Sequence, residues 1–296
     1  MKIMVTGAKG QLGRDCTQIL QKVHDIMPVD LEEINIALYS DVATIVQDFL
    51  PDIIINCAAY TQVDKCETEK ETAWEVNVRG PENLALCAQK HGCRLIHISS
   101  DYVFDGKKPF PEPYVEDDEP HPLSYYGLTK LESEKVVRRT IKQHVILRTA
   151  WMYGISGKNF IKTMLMLALK HPDNQIKVVC DQFGSPTWSY RLALQIQKII
   201  DKNCQGTYHA SAEGYCSWFE LAKYFLKIMA VKHTVVPCSS FEYPTPASRP
   251  ENSILENRRL KKSDLNIMTA WQDDLDKFVS RYREQLIHEV VSCRTC

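Results

Sequence analysis

Residues 2–13 read KIMVTGAKGQLG, and this stretch decides the fold. An apolar run comes first, and glycines follow at positions 7, 10 and 13 before the next amphipathic segment begins. A strand, a glycine-rich turn and a helix in this order predict a dinucleotide-binding unit. The residues expected to bind the cofactor here are Gly7, Gly10, Gln11, Leu12 and Gly13.

The three glycines have different expected roles. Gly7 allows a tight turn, Gly10 lets the backbone approach a pyrophosphate, and Gly13 permits close packing of helix on strand. The helix that follows adds positive potential at its N-terminus. The spacing is G-x-x-G-x-x-G rather than G-x-G-x-x-G. By itself the loop therefore leaves open a glycine turn that binds nothing.

The rest of the first half alternates strands with helices. Apolar runs at residues 25–30, 52–57, 94–99 and 144–149 predict strands, and a capping box at 68–71 predicts a helix to about residue 91. This alternation predicts an α/β fold with a Rossmann-like, doubly wound parallel sheet. We expect residues 1–150 to form the NAD(P)-binding domain. The pattern then loosens, so we expect residues 151–296 to form mainly a smaller C-terminal substrate-binding lobe, with some segments returning to the Rossmann core.

Composition and charge do not indicate a nucleic-acid or membrane partner. The 296 residues carry a formal net charge of -1, with 44% hydrophobic and 25% charged residues. These values are ordinary for a globular protein and give no reason to expect nucleic acid or an anionic membrane as a partner. The chain enters an apolar strand directly, without a signal-peptide layout or a membrane-spanning run. We therefore expect a soluble cytoplasmic protein.

The cysteines favour a reducing compartment. There are eleven, an odd number, and they are scattered along the chain. Reduced core thiols are the expected state. Cys293 and Cys296 have the spacing of a metal or redox pair, but no second pair accompanies them, so we favour a simple terminal tail.

Further candidates for cofactor contacts follow the other strands. Asp30 can bind the adenosine ribose hydroxyls, which favours NAD over NADP, although a turn aspartate is an equally ordinary interpretation. Lys9 and Arg14 offer positive charge to a 2′-phosphate, so the choice of nucleotide stays open. The other candidates are Asp41 and Val42 at the adenine, and Ala58, Ala59 and Tyr60 after the strand that ends near residue 57.

Tyr126 and Lys130 are the expected centre of catalysis. A carbonyl that accepts a hydride also needs a proton, and a tyrosine with a pKa near ~10 needs help to exchange it at neutral pH. An ammonium one helical turn away is expected to lower the tyrosine's pKa and to hold the nicotinamide ribose. Ser100, at a strand end, can hydrogen-bond the reacting oxygen. Ser124 is expected to cap the helix that carries the pair.

Taken together, the chain resembles the extended short-chain dehydrogenase/reductases, and among them the family of dTDP-4-dehydrorhamnose reductases. The resemblance runs nearly end to end and rests on residues 7–13, 56–64, 98–106, 126–130, 147–154, 181–187 and 249–250. It implies an NAD(P)H-dependent oxidoreductase that reduces the 4-keto group of a nucleotide sugar, dTDP-4-dehydro-6-deoxy-L-mannose, in the last step of dTDP-L-rhamnose synthesis.

The resemblance also implies roles for further residues. Ser100 stands where the family often has threonine and keeps the hydroxyl. Tyr102 and Trp151 match residues that line the sugar pocket, and Arg249 is expected to hold the nucleotide diphosphate with its fork of donors. Some relatives bind magnesium through carboxylates at a dimer interface. Those carboxylates have no clear match here, so we predict no metal, and a homodimer stays open.

The resemblance leaves three alternatives to the reductase. A 4,6-dehydratase places Asp-Glu after the catalytic hydroxyl, whereas this chain has Asp101-Tyr102. An epimerase is harder to exclude, but residues 181–187 favour the reductase. A regulatory protein like the methionine adenosyltransferase beta subunit can retain Ser100, Tyr126 and Lys130, since one fold hosts many functions.

Overall fold

The computed structural model describes residues 1–292, and its centre is a six-stranded parallel sheet. The strand order across this sheet is β2-β1-β3-β4-β5-β10. Its members are β1 (Lys2–Thr6), β2 (Asp25–Val29), β3 (Ile53–Asn56), β4 (Arg94–Ser100), β5 (His144–Thr149) and β10 (Gly206–His209). The chain winds outward from β1 to β2 and then returns to place β3 on the other side of β1, as in doubly wound folds.

Helices cover both faces of this sheet. They are α1 (Gln11–Leu20), α2 (Tyr39–Phe49), α3 (Lys70–Trp74), α4 (Gly80–His91), α5 (Tyr125–Thr140) and α7 (Ser189–Asp201). Helices α1 and α7 pack with Ile3 and Val5 on one face, while α2, α4 and α5 pack with Met4 on the other. Neighbouring strand residues point to opposite faces, so the apolar runs of the central strands are buried on both sides. The prediction of an α/β, doubly wound parallel sheet is confirmed.

The second half of the chain builds a separate apolar cluster beside the sheet. It contains α6 (Phe160–Lys170), α8 (Trp218–Ile228) and α10 (Trp271–Ser292), together with short strands. The remaining strands and α-helix are β6 (Met152–Tyr153), β7 (Ile176–Val179), β8 (Phe183–Gly184), β9 (Thr187–Trp188), β11 (Cys216–Ser217), β12 (Val235–Cys238) and α9 (Arg258–Lys262). Strand β10 is instead part of the central sheet and helix α7 packs against that sheet, although both come late in the sequence.

The helical segment before β4 differs from its prediction. The expected capping box at residues 68–71 is wrong, because the Thr68 hydroxyl donates to the carbonyl of Lys65 and the helix begins at Lys70. From there the chain stays helical to His91, but residues Glu75–Arg79 form a π-helical turn between α3 and α4. Such turns are rare and frequently accompany functional sites.

Two further expectations concern cysteines and membranes. Every cysteine from Cys16 to Cys238 is a free thiol, whereas Cys293 and Cys296 lie outside the described residues. Among residues 1–292, the structure contains no helix that is both long and apolar enough to cross a membrane.

Candidate active site

A cavity of about 1000 Å³ opens at the carboxyl ends of the central strands. It lies where β1 and β3 are neighbours but their following connections run to opposite sides, which is the point where ligands bind in open α/β sheets. The loops after β1, β3, β4 and β5 all contribute to its wall. The predicted residues that line it are Gly7, Gly10, Gln11, Leu12, Gly13, Asp30, Ala58, Ala59, Tyr60, Ser100, Tyr102, Tyr126, Lys130, Trp151 and Arg249.

The glycine loop has no room for side chains at two positions. Gly7 has φ +64°, and a Cβ there would lie 2.7 Å from the backbone nitrogen of Ala58. A Cβ on Gly13 would lie 2.1 Å from the carbonyl oxygen of Gly7. Gly10 precedes α1 as its N-cap and provides no side-chain cap. The loop thus brings bare backbone and a helix N-terminus to the cavity, which fits a pyrophosphate.

Asp30 sits at the edge of the cavity and is already engaged with the backbone. Its carboxylate accepts hydrogen bonds from the backbone N–H of Lys9 and from that of Leu31, each at 2.8 Å. The Lys9 ammonium pairs with Glu32 and lies 4.0 Å from Glu33. Asp30 therefore shapes the turn as well as lining the cavity, and acidic side chains hold the nearby lysine.

Asp41 and Val42 do not reach the cavity. Both lie in the first turn of α2, where Val42 is fully buried in the apolar core and Asp41 accepts from the backbone N–H of Asn35. The cavity wall beside β2 is made instead by Leu31, Ile34, Asn35 and Ile36. Their position depends on the loop between β2 and α2, which carries no strand or helix pattern.

Strand β4 and helix α5 bring the three proposed catalytic side chains together. Ser100 is the last residue of β4, and Tyr126 and Lys130 lie one turn apart on α5. The helix begins where expected, because the Ser124 side chain accepts from the backbone N–H of Gly127. The Lys130 ammonium donates to the carbonyl of Ile98 at 2.7 Å, which fixes its side chain against β4.

Burial controls the protonation of this site. It raises the pKa of the Tyr126 phenol well above its ordinary value, and the charge of Asp101 adds to that shift. Burial lowers the pKa of Lys130 to about 8. Burial therefore outweighs any lowering of the Tyr126 pKa by the Lys130 ammonium, and the net shift is upward. Tyr126 is a protonated phenol at neutral pH.

Asp101 is a polar wall residue that the sequence analysis did not select. It is almost fully buried, and burial raises the pKa of its carboxyl to about 6. The Ser100 hydroxyl donates to its Oδ1 at 2.8 Å and accepts from the backbone N–H of Tyr102. The carboxyl therefore orients the Ser100 hydroxyl at the cavity wall.

Arg249 lines the cavity and forms an ion pair with Asp64. It donates to Asp64 at 2.9 Å and to the carbonyl of Ala247 at 3.1 Å. Tyr102 lies close to both, and its ring packs edge-on against Tyr126 with centroids 5.6 Å apart. Arg249 thus lies at the surface of the cavity and is at the same time held by an acidic partner.

The C-terminal half supplies wall residues that the sequence analysis missed. Trp218 and Leu221 come from α8, Phe160 and Met164 from α6, and Gln182 from the loop before β8. Only the resemblance at residues 181–187 pointed to any of these. The apolar spacing of α6 and α8 indicates burial but not the cavity that each helix faces.

Comparison with known proteins gives one consistent family. The model of the "RmlD substrate binding domain" matches residues 1–284. A curated dTDP-4-dehydrorhamnose reductase from Aggregatibacter actinomycetemcomitans is 37% identical over 297 residues, which cover 96% of this chain and 99% of the relative.

Solved structures agree with this match. A dTDP-4-dehydrorhamnose reductase from Clostridium acetobutylicum superposes with a TM-score of 0.92 at 40% identity, covering 96% of this chain and all of that one. A Bacillus anthracis dTDP-4-dehydrorhamnose reductase in complex with NADP has a TM-score of 0.91 at 39% identity, covering 95% of this chain and 99% of the other. The likeness therefore includes both halves of the molecule.

Proposed function

The chain belongs to the family of the RmlD substrate binding domain, and from this membership we propose that it is an NAD(P)H-dependent dTDP-4-dehydrorhamnose reductase. Its substrate is the nucleotide sugar dTDP-4-dehydro-6-deoxy-L-mannose, and its product is dTDP-L-rhamnose. The observation that carries this proposal is the convergence of Ser100, Tyr126 and Lys130 with the glycine loop on one cavity.

The cofactor fits the cavity beside the glycine loop. Gly7 and Gly13 let the loop pack tightly against Ala58 and against itself, because a Cβ at either position would clash with backbone atoms. The backbone between Gly10 and Leu12 would hold the pyrophosphate at the N-terminus of α1. Asp30 would face the adenosine ribose, and Lys130 the ribose of the nicotinamide. The bound cofactor supplies the hydride for the reduction.

Tyr126 provides the proton that completes the reduction. As the 4-keto carbon gains hydride, its oxygen becomes an alkoxide, and the phenol donates its proton to that oxygen. The raised pKa of Tyr126 keeps the phenol protonated at neutral pH, so the donor is in the correct form before the reaction starts. The same shift makes a free phenolate unfavourable, which favours return of a proton to Tyr126 after turnover.

Ser100 and Lys130 orient the reacting groups. The Ser100 hydroxyl is held by Asp101 and lies at the end of β4, where the keto oxygen would sit. Lys130 is protonated below its pKa of about 8 and lies along the cavity wall. Its positive charge stabilises the negative charge that develops on oxygen during hydride transfer.

The part of the cavity near Arg249 suits the nucleotide sugar. Arg249 presents a guanidinium, which binds phosphates with a fork of donors. Trp151 and Trp218 provide flat apolar walls of the kind that pack against sugar rings or bases. Tyr102 lies between the Arg249 end and the reacting end, so it would contact the sugar.

Turnover of the purified chain tests this function. With NADPH and dTDP-4-dehydro-6-deoxy-L-mannose, we expect loss of reduced cofactor matched by formation of dTDP-L-rhamnose, followed by absorbance and by NMR of the product. The Tyr126→Phe variant is the matched control. An epimerase would change the sugar without net loss of NADPH, and a regulatory protein would bind the cofactor without turnover. Either result would overturn the proposal.

We also propose a cytoplasmic location for this activity. The free thiols from Cys16 to Cys238 fit a reducing compartment.

Sedimentation at several concentrations would distinguish a monomer from the homodimer that the family resemblance leaves open.

A further inference from the structure

Two buried hydrogen-bond chains connect the loop after β3 to the helix that carries Tyr126 and Lys130. The first, the His97 chain, begins at the backbone N–H of Ala58, which donates to Asn56 Oδ1 at 3.2 Å. Asn56 Nδ2 lies 3.1 Å from His97 Nδ1, and His97 Nε2 lies 2.8 Å from Ser133 Oγ. Ser133 donates to the carbonyl of Lys130 at 2.6 Å.

The two ends of the His97 chain allow only one arrangement of protons. A carbonyl accepts only, so Ser133 must donate to Lys130 and must accept from His97 Nε2–H. His97 Nδ1 then carries no proton and accepts from the amide of Asn56. At the other end a backbone N–H donates only, so Asn56 must turn its oxygen toward Ala58. Both ends therefore require a neutral His97 with its proton on Nε2.

Burial enforces this arrangement of protons. Asn56, His97 and Ser133 are each at most 1% exposed, so water cannot replace a missing partner. Burial also lowers the pKa of His97 well below its ordinary value, and the nearby charge of Lys130 contributes to the shift. Thr6, at the end of β1, adds a further donor to Asn56 Oδ1 at 2.7 Å. The carbonyl of Lys130 is thus linked to the strands beneath the cavity.

The second connection, the Asn77 chain, also runs from a backbone N–H of the loop to a backbone carbonyl of α5. The backbone N–H of Tyr60 donates to Asn77 Oδ1 at 2.8 Å. Asn77 Nδ2 donates to Thr129 Oγ1 at 3.1 Å, and Thr129 donates to the carbonyl of Tyr126 at 2.8 Å. Asn77 and Thr129 are as buried as the members of the first chain. Asn77 belongs to the π-helical turn, which gives a physical role to that irregularity.

We propose that His97, Asn77, Ser133 and Thr129 are positioning residues that couple the cofactor-side loop at residues 58–60 to the catalytic pair on α5. Each chain runs from a backbone N–H of that loop to the backbone carbonyl of one catalytic residue. The two chains hold Tyr126 and Lys130 at a set distance from the loop that packs against Gly7. The inference rests on the proposed reductase function for its kinetic consequence.

Thr129 offers the sharpest kinetic test. Thr129→Val keeps the branched shape but removes the hydroxyl, so the carbonyl of Tyr126 loses its link to Asn77. We expect kcat to fall by about 10- to 100-fold, the loss typical of a misplaced catalytic group. The KM for the sugar nucleotide should change little, because Thr129 does not line the cavity. Thr129→Ser, which retains the hydroxyl, should restore kcat.

His97 gives an independent pair of variants. His97→Leu removes both hydrogen bonds, whereas in His97→Gln the amide oxygen can accept from Asn56 and the amide nitrogen can donate to Ser133. We expect His97→Gln to retain much more of kcat than His97→Leu. Val137→Ala is the control for stability alone, since Val137 is buried in the core on the same helix and does not line the cavity.

Two outcomes would overturn the inference while leaving the reductase intact. One is an unchanged kcat in Thr129→Val. The other is a loss of kcat in Val137→Ala as large as in Thr129→Val at a matched melting temperature, which would show that only stability matters. An inactive wild type would contradict the proposed function instead.

The proton arrangement of the His97 chain can be measured without turnover, and therefore independently of the proposed reductase function. In ¹⁵N-histidine NMR of the wild type, the His97 signal is identified by its absence in His97→Gln. We expect a neutral ring protonated on Nε2 throughout the pH range in which ordinary histidines titrate. A charged ring, or a proton on Nδ1, would contradict the directed chain whether or not the enzyme is active.

Discussion

The indole rings of Trp151 and Trp218 stack with centroids 3.5 Å apart and planes 4° apart. Trp151 follows β5 with φ +44°, an unusual conformation for a bulky residue, and Trp218 is the first residue of α8. Gly184 makes room for the stack, because a Cβ there would lie 2.4 Å from the Trp151 ring. The stack joins the chain segment after β5 to helix α8 at the cavity wall.

Trp218→Ala should weaken substrate binding more than turnover. An aromatic pair contributes about 0.5–1.5 kcal/mol beyond its buried area, so we expect KM for the nucleotide sugar to rise by roughly 2- to 10-fold. The proton donor is untouched, and kcat should stay near its wild-type value. Phe219→Ala is the matched control, since Phe219 is the next residue of α8 but does not line the cavity. Equal kinetic effects of the two variants would contradict this role.

Tyr126→Phe should remove most turnover and leave cofactor binding nearly intact. Only the phenolic hydroxyl is lost, and positioned acid-base groups contribute about 10²–10⁴-fold to rate. Steady-state kinetics and a titration of NADPH would measure the two effects separately. Near-normal turnover in the variant would exclude Tyr126 as the proton donor.

Lys130 should set the alkaline side of the pH profile. Its lowered pKa of about 8 means that the ammonium is present below that pH and is lost above it. If the charge is required, kcat/KM should decline as the pH rises through about 8, and the profile of the free enzyme reports that group.

A variant separates the two roles of Lys130. Lys130→Ala should weaken cofactor binding as well as turnover, because we propose that the ammonium binds the ribose and stabilises the reacting oxygen. A profile of kcat/KM that stays flat above pH 8 in the wild type, together with an unchanged cofactor dissociation constant in the variant, would refute both roles.

Asp30 and Glu32 should control the choice between NADH and NADPH. If Asp30 binds the adenosine ribose as proposed, Asp30→Ala removes a hydrogen-bond partner worth roughly 1–3 kcal/mol, so kcat/KM for NADH should fall while NADPH use is spared. Glu32→Gln frees the Lys9 ammonium from its partner and should favour NADPH, whose 2′-phosphate can take that charge.

Kinetics of both variants with both cofactors decide between the two interpretations of Asp30. Because its carboxylate also anchors the backbone N–H groups of Lys9 and Leu31, the loss could instead be equal for the two cofactors. An equal loss would identify Asp30 as a turn residue alone.

The sequence by itself determined the sheet, the glycine loop and the spacing of Tyr126 and Lys130. These features are local: side chains alternate along a strand, residues four apart share a helix face, and a turn with positive φ selects glycine. The order of strands and helices then limited the topology to a doubly wound sheet. Gly7, Ser124 and the Tyr126–Lys130 pair were therefore placed correctly by patterns a few residues long.

The tertiary structure alone decided which distant residues meet and how their charges behave. Trp218, Asp64 and His97 contact residues of the site that are far from them in the sequence. Val42, in contrast, packs in the core, and Asp41 lies in α2 away from the cavity. The pKa of Tyr126 is raised rather than lowered, because the phenol is buried. The i+4 spacing of Tyr126 and Lys130 does not show how deeply the phenol is buried. Burial and long-range contact depend on how helices pack on the sheet, and no local pattern in the chain encodes that packing by itself.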